Sequence, residues 1–162
     1  MLERQWAERV LSEFWSSKPI PVDPTAVANS MGVVVEGLSP FAPGYDSTIS
    51  GIYVLEDGKP KIYFNLMDPP NRQRFTVAHE LGHHVLKHGP RFRDTSATLS
   101  GGSYDPIETS ANRFAAELLM PTHPMKVLVE EQGIVSLPTL AASFGVSEKA
   151  MHYRLKNLGY IR

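Results

Sequence analysis

The sequence predicts an α+β fold, a helical core carrying a small antiparallel sheet and, at the C-terminus, a pair of helices in helix-turn-helix form. Three observations predict it. Apolar residues recur at helical spacing over long stretches near both ends. Two short strand-like runs, residues 48–55 and 61–65, flank an Asp57-Gly58 turn. The chain has 162 residues, 42% hydrophobic and 20% charged, which suits about one globular domain. The expected division is a core over residues 1–132 with residues 133–162 packed on it as an extension.

Leu2, Trp6, Val10, Leu11, Phe14 and Trp15 share helical spacing with Glu and Arg between them, an amphipathic first helix over residues 2–16. Asp23 as N-cap and Pro24 at the first helical position start a short second helix, which Gly32 stops. A strand over 33–36 and a loop rich in Pro and Gly over 39–46 follow. The Asp-Gly pair then closes a hairpin between antiparallel strands. Asp68-Pro69-Pro70 opens a helix that runs through RQRFTVAHELGHHVLKH to Gly89-Pro90. Residues 91–104 have few apolar side chains and a Gly-Gly pair, and read as a mobile loop.

Asp105-Pro106-Ile107-Glu108 supplies an N-cap, a Pro in the first turn and a Glu three residues on, starting a helix through ANRFAAELLM that Pro121 ends. Residues 123–132 read as a further short helix. Residues 136–161 read as two helices of about eight and eleven residues joined at Gly145-Val146-Ser147. Leu140, Ala141, Phe144, Val146, Ala150, Met151, Leu155 and Leu158 would form the small core of that pair.

The absence of Cys excludes a disulfide framework, a Cys-type zinc site and thiol nucleophiles, so any metal must be held by His and carboxylate. The net charge of −1 provides no overall field toward nucleic acid or an anionic membrane. From residue 136 onward, however, Lys149, Arg154, Lys156 and Arg162 oppose only Glu148, a net +3. The nucleic-acid question is thereby confined to the C-terminal pair, where Lys149, His152, Tyr153 and Lys156 are the residues available to a groove. Such a pair is more often a packing or protein-contact element than a complete DNA reader, which needs several phosphate contacts. The segment LERQWAERVLSEFWSSK has no apolar h-region, so the expectation is a cytoplasmic protein without signal peptide or membrane span.

Four of the six His fall at positions 79, 83, 84 and 88. His79-Glu80-Leu81-Gly82-His83 is H-E-x-x-H on a segment already assigned to a helix. At about 100° per residue His83 lies roughly 40° from His79, so both imidazoles leave one face a single turn apart and can share one zinc. Glu80, about 100° round, stands beside that metal, where a general base could take a proton from water. Phe75, Gly82 and Leu86 make the metal face apolar, and Ala78, Leu81 and Val85 pack another flank.

A catalytic zinc takes three protein ligands and keeps one position open. Candidates for the third are His84, His88, Asp105, Glu108, Glu117 and His123. His84 and His88, about 140° and 180° from His79, point away and read as surface or second-face residues. On the later helix Glu108, Ala111, Asn112, Ala115 and Leu119 share one face, and the small residues beside Glu108 permit a close approach. Glu117 lies opposite and reads as solvated or salt-bridging. Spacing alone leaves Glu108 open between ligand and the N3 position of a capping box with Asp105. Asn112, one turn on, could hold a metal-bound His or carboxylate in place.

RFTVAHELGHHVLKH, then ETSANRFAAELLMP, then LAASFGVSEKAMHYRLKNLG together resemble the ImmA/IrrE family of metallopeptidases, over about residues 20–162. The resemblance implies His79, His83 and Glu108 as zinc ligands, Glu80 as catalytic base, and a gluzincin-like zinc-peptidase domain over 1–132. It also implies a helix-turn-helix transcriptional repressor as substrate, relieved by cleavage. Tyr104, His123 and Arg113 are the candidates for an oxyanion partner. Residues 61–65 are either an edge strand that pairs with extended substrate or an ordinary interior strand. The competing expectation is a non-catalytic regulator, an anti-repressor or toxin–antitoxin component acting by protein or DNA binding. Glu80 argues against it, since a scaffold has no use for a base beside the metal.

Overall fold

The computed structural model describes residues 2–89, 91–95, 99 and 105–162, and of residues 91–94 the backbone alone. The chain runs α1 (Leu2–Phe14), α2 (Pro24–Ser30), β1 (Val34–Leu38), β2 (Ile49–Glu56), β3 (Lys59–Asn65), α3 (Pro70–Val85), β4 (Arg91–Thr95), α4 (Pro106–Leu119) and α5 (Thr122–Lys126). A π-helical turn (Val127–Glu131), α6 (Leu137–Phe144) and α7 (Glu148–Asn157) complete it. The fold is mixed α+β.

Local chemistry sets the element starts. Asp23 Oδ1 accepts the N–H groups of Thr25 and Ala26, two of the donors a helix start leaves without intrahelical partners. Asp57 and Gly58 both have positive φ, +51° and +75°, the backbone of a type I′ turn whose twist matches the strands it joins.

The strand order is β1-β3-β2-β4, with β1 parallel to β3 and the other two pairings antiparallel. Two expectations change. The sheet is mixed rather than antiparallel, because β1 reaches β3 from the far side after a long connection instead of a hairpin. Part of the expected 91–104 loop is strand: β4 pairs with β2 through an irregular register. Its residues Arg-Phe-Arg-Asp-Thr lack a continuous apolar run because a sheet edge needs only one covered side. With β1 and β4 at the edges, β3 is interior, so residues 61–65 have no free edge for a substrate strand.

α3 packs against both the sheet and α4: Glu80 is fully buried toward β2 and His79 and His83 toward Glu108 of α4, and Ala78 and Leu81 are fully buried as well. α1 covers α4, where Glu3 Oε1 accepts the Ser110 hydroxyl at 2.9 Å. Among the described residues, one hydrophobic cluster runs from Ala7 and Val10 through Ile62, Leu81, Phe114 and Leu118 to Phe144, Met151 and Leu155.

Polar ties fix the C-terminal pair to that core. Arg74 of α3 donates to the carbonyls of Gly145 (3.0 Å), Phe144 (3.3 Å) and Val22 (2.5 Å). Gly145 has φ +64°, and a Cβ there would stand 2.6 Å from Arg74 Nε, so both backbone hand and space call for glycine. Arg154 of α7 reaches back to α4. No helix among the described residues is long and apolar enough to cross a membrane.

Candidate metal centre

His79 and His83 leave α3 one turn apart with their rings edge to face, centroids 4.8 Å apart. Their Nε2 atoms and Glu108 Oε2 converge: 2.8 Å from His79 to Glu108, 3.2 Å from His83 to Glu108, and 3.2 Å between the imidazoles. All three side chains are buried. Glu108 arrives there because α4 can press against α3. A Cβ on Gly82 would lie 3.1 Å from Phe114 Cδ1 and 3.3 Å from the Ala111 backbone, so glycine opposite alanine sets the closeness of the two helices. At the start of α4, Asp105 Oδ1 caps the Ile107 N–H at 2.9 Å.

Three lone-pair donors gathered in a dry site are the chemistry of a cation cradle, and these three could hold a metal ion. Ligand atoms about 2.1 Å from a tetrahedral ion stand about 3.4 Å apart, so the two 3.2 Å separations need open by about 0.2 Å and the 2.8 Å separation by about 0.6 Å. The set fits.

The outer nitrogens are held as well. Asn112 Oδ1 accepts from His79 Nδ1 at 2.8 Å, which leaves the His79 Nε2 lone pair facing the cluster. His83 Nδ1 is 3.0 Å from His88 Nδ1. That contact corrects the expectation that His88 points away. α3 ends at Val85, the Leu86 N–H closes onto the Gly82 carbonyl, Lys87 takes φ +57°, and the His88 N–H returns to the His83 carbonyl at 3.0 Å. Angular bookkeeping beyond Val85 no longer applies because the helix has stopped. His84 is half-buried, with Nδ1 2.8 Å from the Tyr53 hydroxyl. Burial pushes the His84 pKa down and the Tyr53 pKa up, so the two meet as neutral groups.

Glu80 is fully buried where β2 crosses α3. A Cβ on Gly51 of β2 would collide with Thr76 Cγ2 and stand 2.7 Å from Glu80 Oε1, so Gly51 makes the room in which that carboxylate sits. Sequence reasoning passed over this residue, although a glycine inside the strand run ISGIYV is itself a signal of close approach.

Of the oxyanion candidates, Tyr104 lies outside the described residues. Arg113 is exposed, and with Phe75, Asn112, Lys149, Ala150 and Tyr153 it lines a cleft of about 790 Å³ between α3, α4 and α7. That cleft meets the centre at Asn112, on the Nδ1 side of His79, away from the converging atoms. His123 is exposed on α5. Glu117 is buried rather than solvated, because Arg154 binds it bidentately at 2.8 and 2.9 Å and also donates to the Met120 carbonyl.

The sequence matches the model of the IrrE N-terminal-like domain, a peptidase family, over residues 38–156. The fold is similar to that of a Mycobacterium tuberculosis transcriptional regulator, with a TM-score of 0.61 at 18% identity, covering 95% of this chain and 46% of that one. At that identity the likeness is one of fold, and this chain spans just under half the length of the regulator. No protein of curated function matches the sequence.

Proposed function

Because the chain belongs to the ImmA/IrrE peptidase family, we propose that it is a zinc-dependent endopeptidase in which His79, His83 and Glu108 hold the ion and Glu80 is the general base. The observation that carries the reading is the convergence of the two Nε2 atoms and Glu108 Oε2 within a buried pocket. His and carboxylate in this gluzincin-like set, with no thiol in the chain, suit zinc with an open position. Zinc would supply Lewis acidity toward the scissile carbonyl and toward water.

The chain's own residues do the rest. Glu80 takes the proton of the attacking water and returns it to the leaving amine. Its burial among α3 and β2 keeps bulk water away and holds the carboxylate in one place. Asn112 fixes the His79 ring through Nδ1, so that the Nε2 lone pair cannot turn from the cluster.

The substrate we propose is a transcriptional repressor of the helix-turn-helix class, inactivated by cleavage in the cytoplasm. Family membership and a fold similar to a transcriptional regulator support a regulatory protease. In this reading residues 1–132 form the peptidase and residues 133–162 a helix-turn-helix-like wall for protein contact. Arg154 spends its charge on Glu117, so three of the four C-terminal cations remain available, which weighs against DNA as the ligand of α7.

The test compares wild type with Glu80→Gln, each with Zn²⁺ and a candidate repressor. Cleavage should fall at least about 100-fold while bound zinc per chain is unchanged. Equal cleavage by both proteins would overturn the assignment.

A further inference from the structure

We infer that His88 is a positioning residue for the metal centre: its Nδ1 accepts the Nδ1–H of His83 and so fixes the tautomer and rotation of that ligand. The inference deepens the proposed metallopeptidase reading and rests on it.

The two Nδ1 atoms are 3.0 Å apart and the rings meet at 5.2 Å and 66°, an approach compatible with one N–H aimed at one lone pair. Which partner donates follows from the other end of His83. A ring that offers the Nε2 lone pair to a cation must carry its proton on Nδ1. His88 is then the acceptor at Nδ1, with its own proton on Nε2. The arrangement parallels Asn112 on His79, where an amide oxygen does the same work at 2.8 Å. Each imidazole of the pair is thus gripped at its outer nitrogen by a residue from a different segment.

The backbone is shaped for this contact. His88 would face the opposite side of α3 if the helix continued. Instead the chain leaves the helix after Val85, and Lys87 adopts φ +57°, a left-handed conformation that a lysine adopts only where surrounding structure enforces it. The His88 N–H then closes on the carbonyl of His83, the same residue its side chain grips. Two contacts to one residue hold the loop and the ring in register.

The experiment uses the full chain as His88→Leu and His88→Asn beside wild type. Asn is chosen because its Oδ1 stands close to the place of the imidazole Nδ1 and can accept the same proton; Leu keeps bulk without an acceptor. Zinc dissociation constants are measured by competition with a chromophoric chelator, and the melting temperature of each metal-free protein is recorded. His88→Leu should weaken zinc about 10- to 100-fold, the range lost when such an outer partner is removed. His88→Asn should recover most of that affinity, and all three metal-free proteins should melt alike. Equal affinity for Leu and wild type would overturn the role, as would a loss that Asn does not recover or that merely follows a lowered metal-free melting temperature. If wild type binds no zinc, the underlying metallopeptidase reading falls and this inference with it. Tight zinc in wild type with no effect of Leu refutes His88 alone.

Discussion

Glu108 and Glu117 sit on the same helix, both buried, and they meet opposite kinds of partner. Glu117 faces Arg154, whose guanidinium donates to both Glu117 carboxylate oxygens and to the Met120 carbonyl. Charge and hydrogen bonds cancel there within the chain. Glu108 instead faces two imidazole nitrogens at 2.8 and 3.2 Å, a set of ligand atoms that could hold a cation. The difference teaches how to separate a lock from a receptor in a buried polar cluster: the lock contains its own counter-charge, and the receptor gathers groups of one polarity.

Four substitutions probe that contrast and the pocket beside it. Arg154→Ala should have the largest effect, about 3–5 kcal/mol of stability by chemical denaturation with or without metal, because it strands a buried carboxylate. Adding Glu117→Leu should restore much of the loss; if it does not, Arg154 contributes chiefly through its bond to Met120. Glu108→Ala should do the reverse, leaving metal-free stability nearly intact while abolishing zinc-dependent stabilisation. Under the proposed zinc reading, that stabilisation in wild type would be about 4 kcal/mol when free zinc is 1,000 times its dissociation constant. A Glu108→Ala protein that still melts higher with zinc would transfer the third-ligand role elsewhere. Gly51→Ala comes last, at roughly 1–3 kcal/mol, since the added methyl collides with Thr76 and Glu80. Its cleavage activity should fall further than its stability, and an unaffected rate would mean that Glu80 has slack in its pocket.

Much of the centre was legible in the sequence because helices impose their own geometry. The i, i+4 spacing of His79 and His83, and the opposed faces of Glu108 and Glu117, follow from about 3.6 residues per turn wherever the helix is placed. Residues whose role depends on where a helix ends, or on what crosses it, were not legible. His88 lies three positions beyond the last residue of α3, and periodicity carried past that end sends it to the wrong side. Gly51 acquires its role only when β2 is laid on α3, although its place inside a strand was a hint. β4 was read as loop because an edge strand can lack the apolar pattern that marks a buried one.

By itself the sequence determined which residue types could bind a metal, which helices present them, and the family to which the chain belongs. The order of the sheet, the interior place of β3, the burial of Arg154 against Glu117 and the return of His88 to His83 were decided only in the tertiary structure. The physical reason is range. Helix periodicity, caps and turns act over a few residues and are written locally, whereas pairing partners and buried ion pairs are chosen by which distant segments pack together. Glu117 and Arg154 are 37 positions apart, and only packing makes them neighbours.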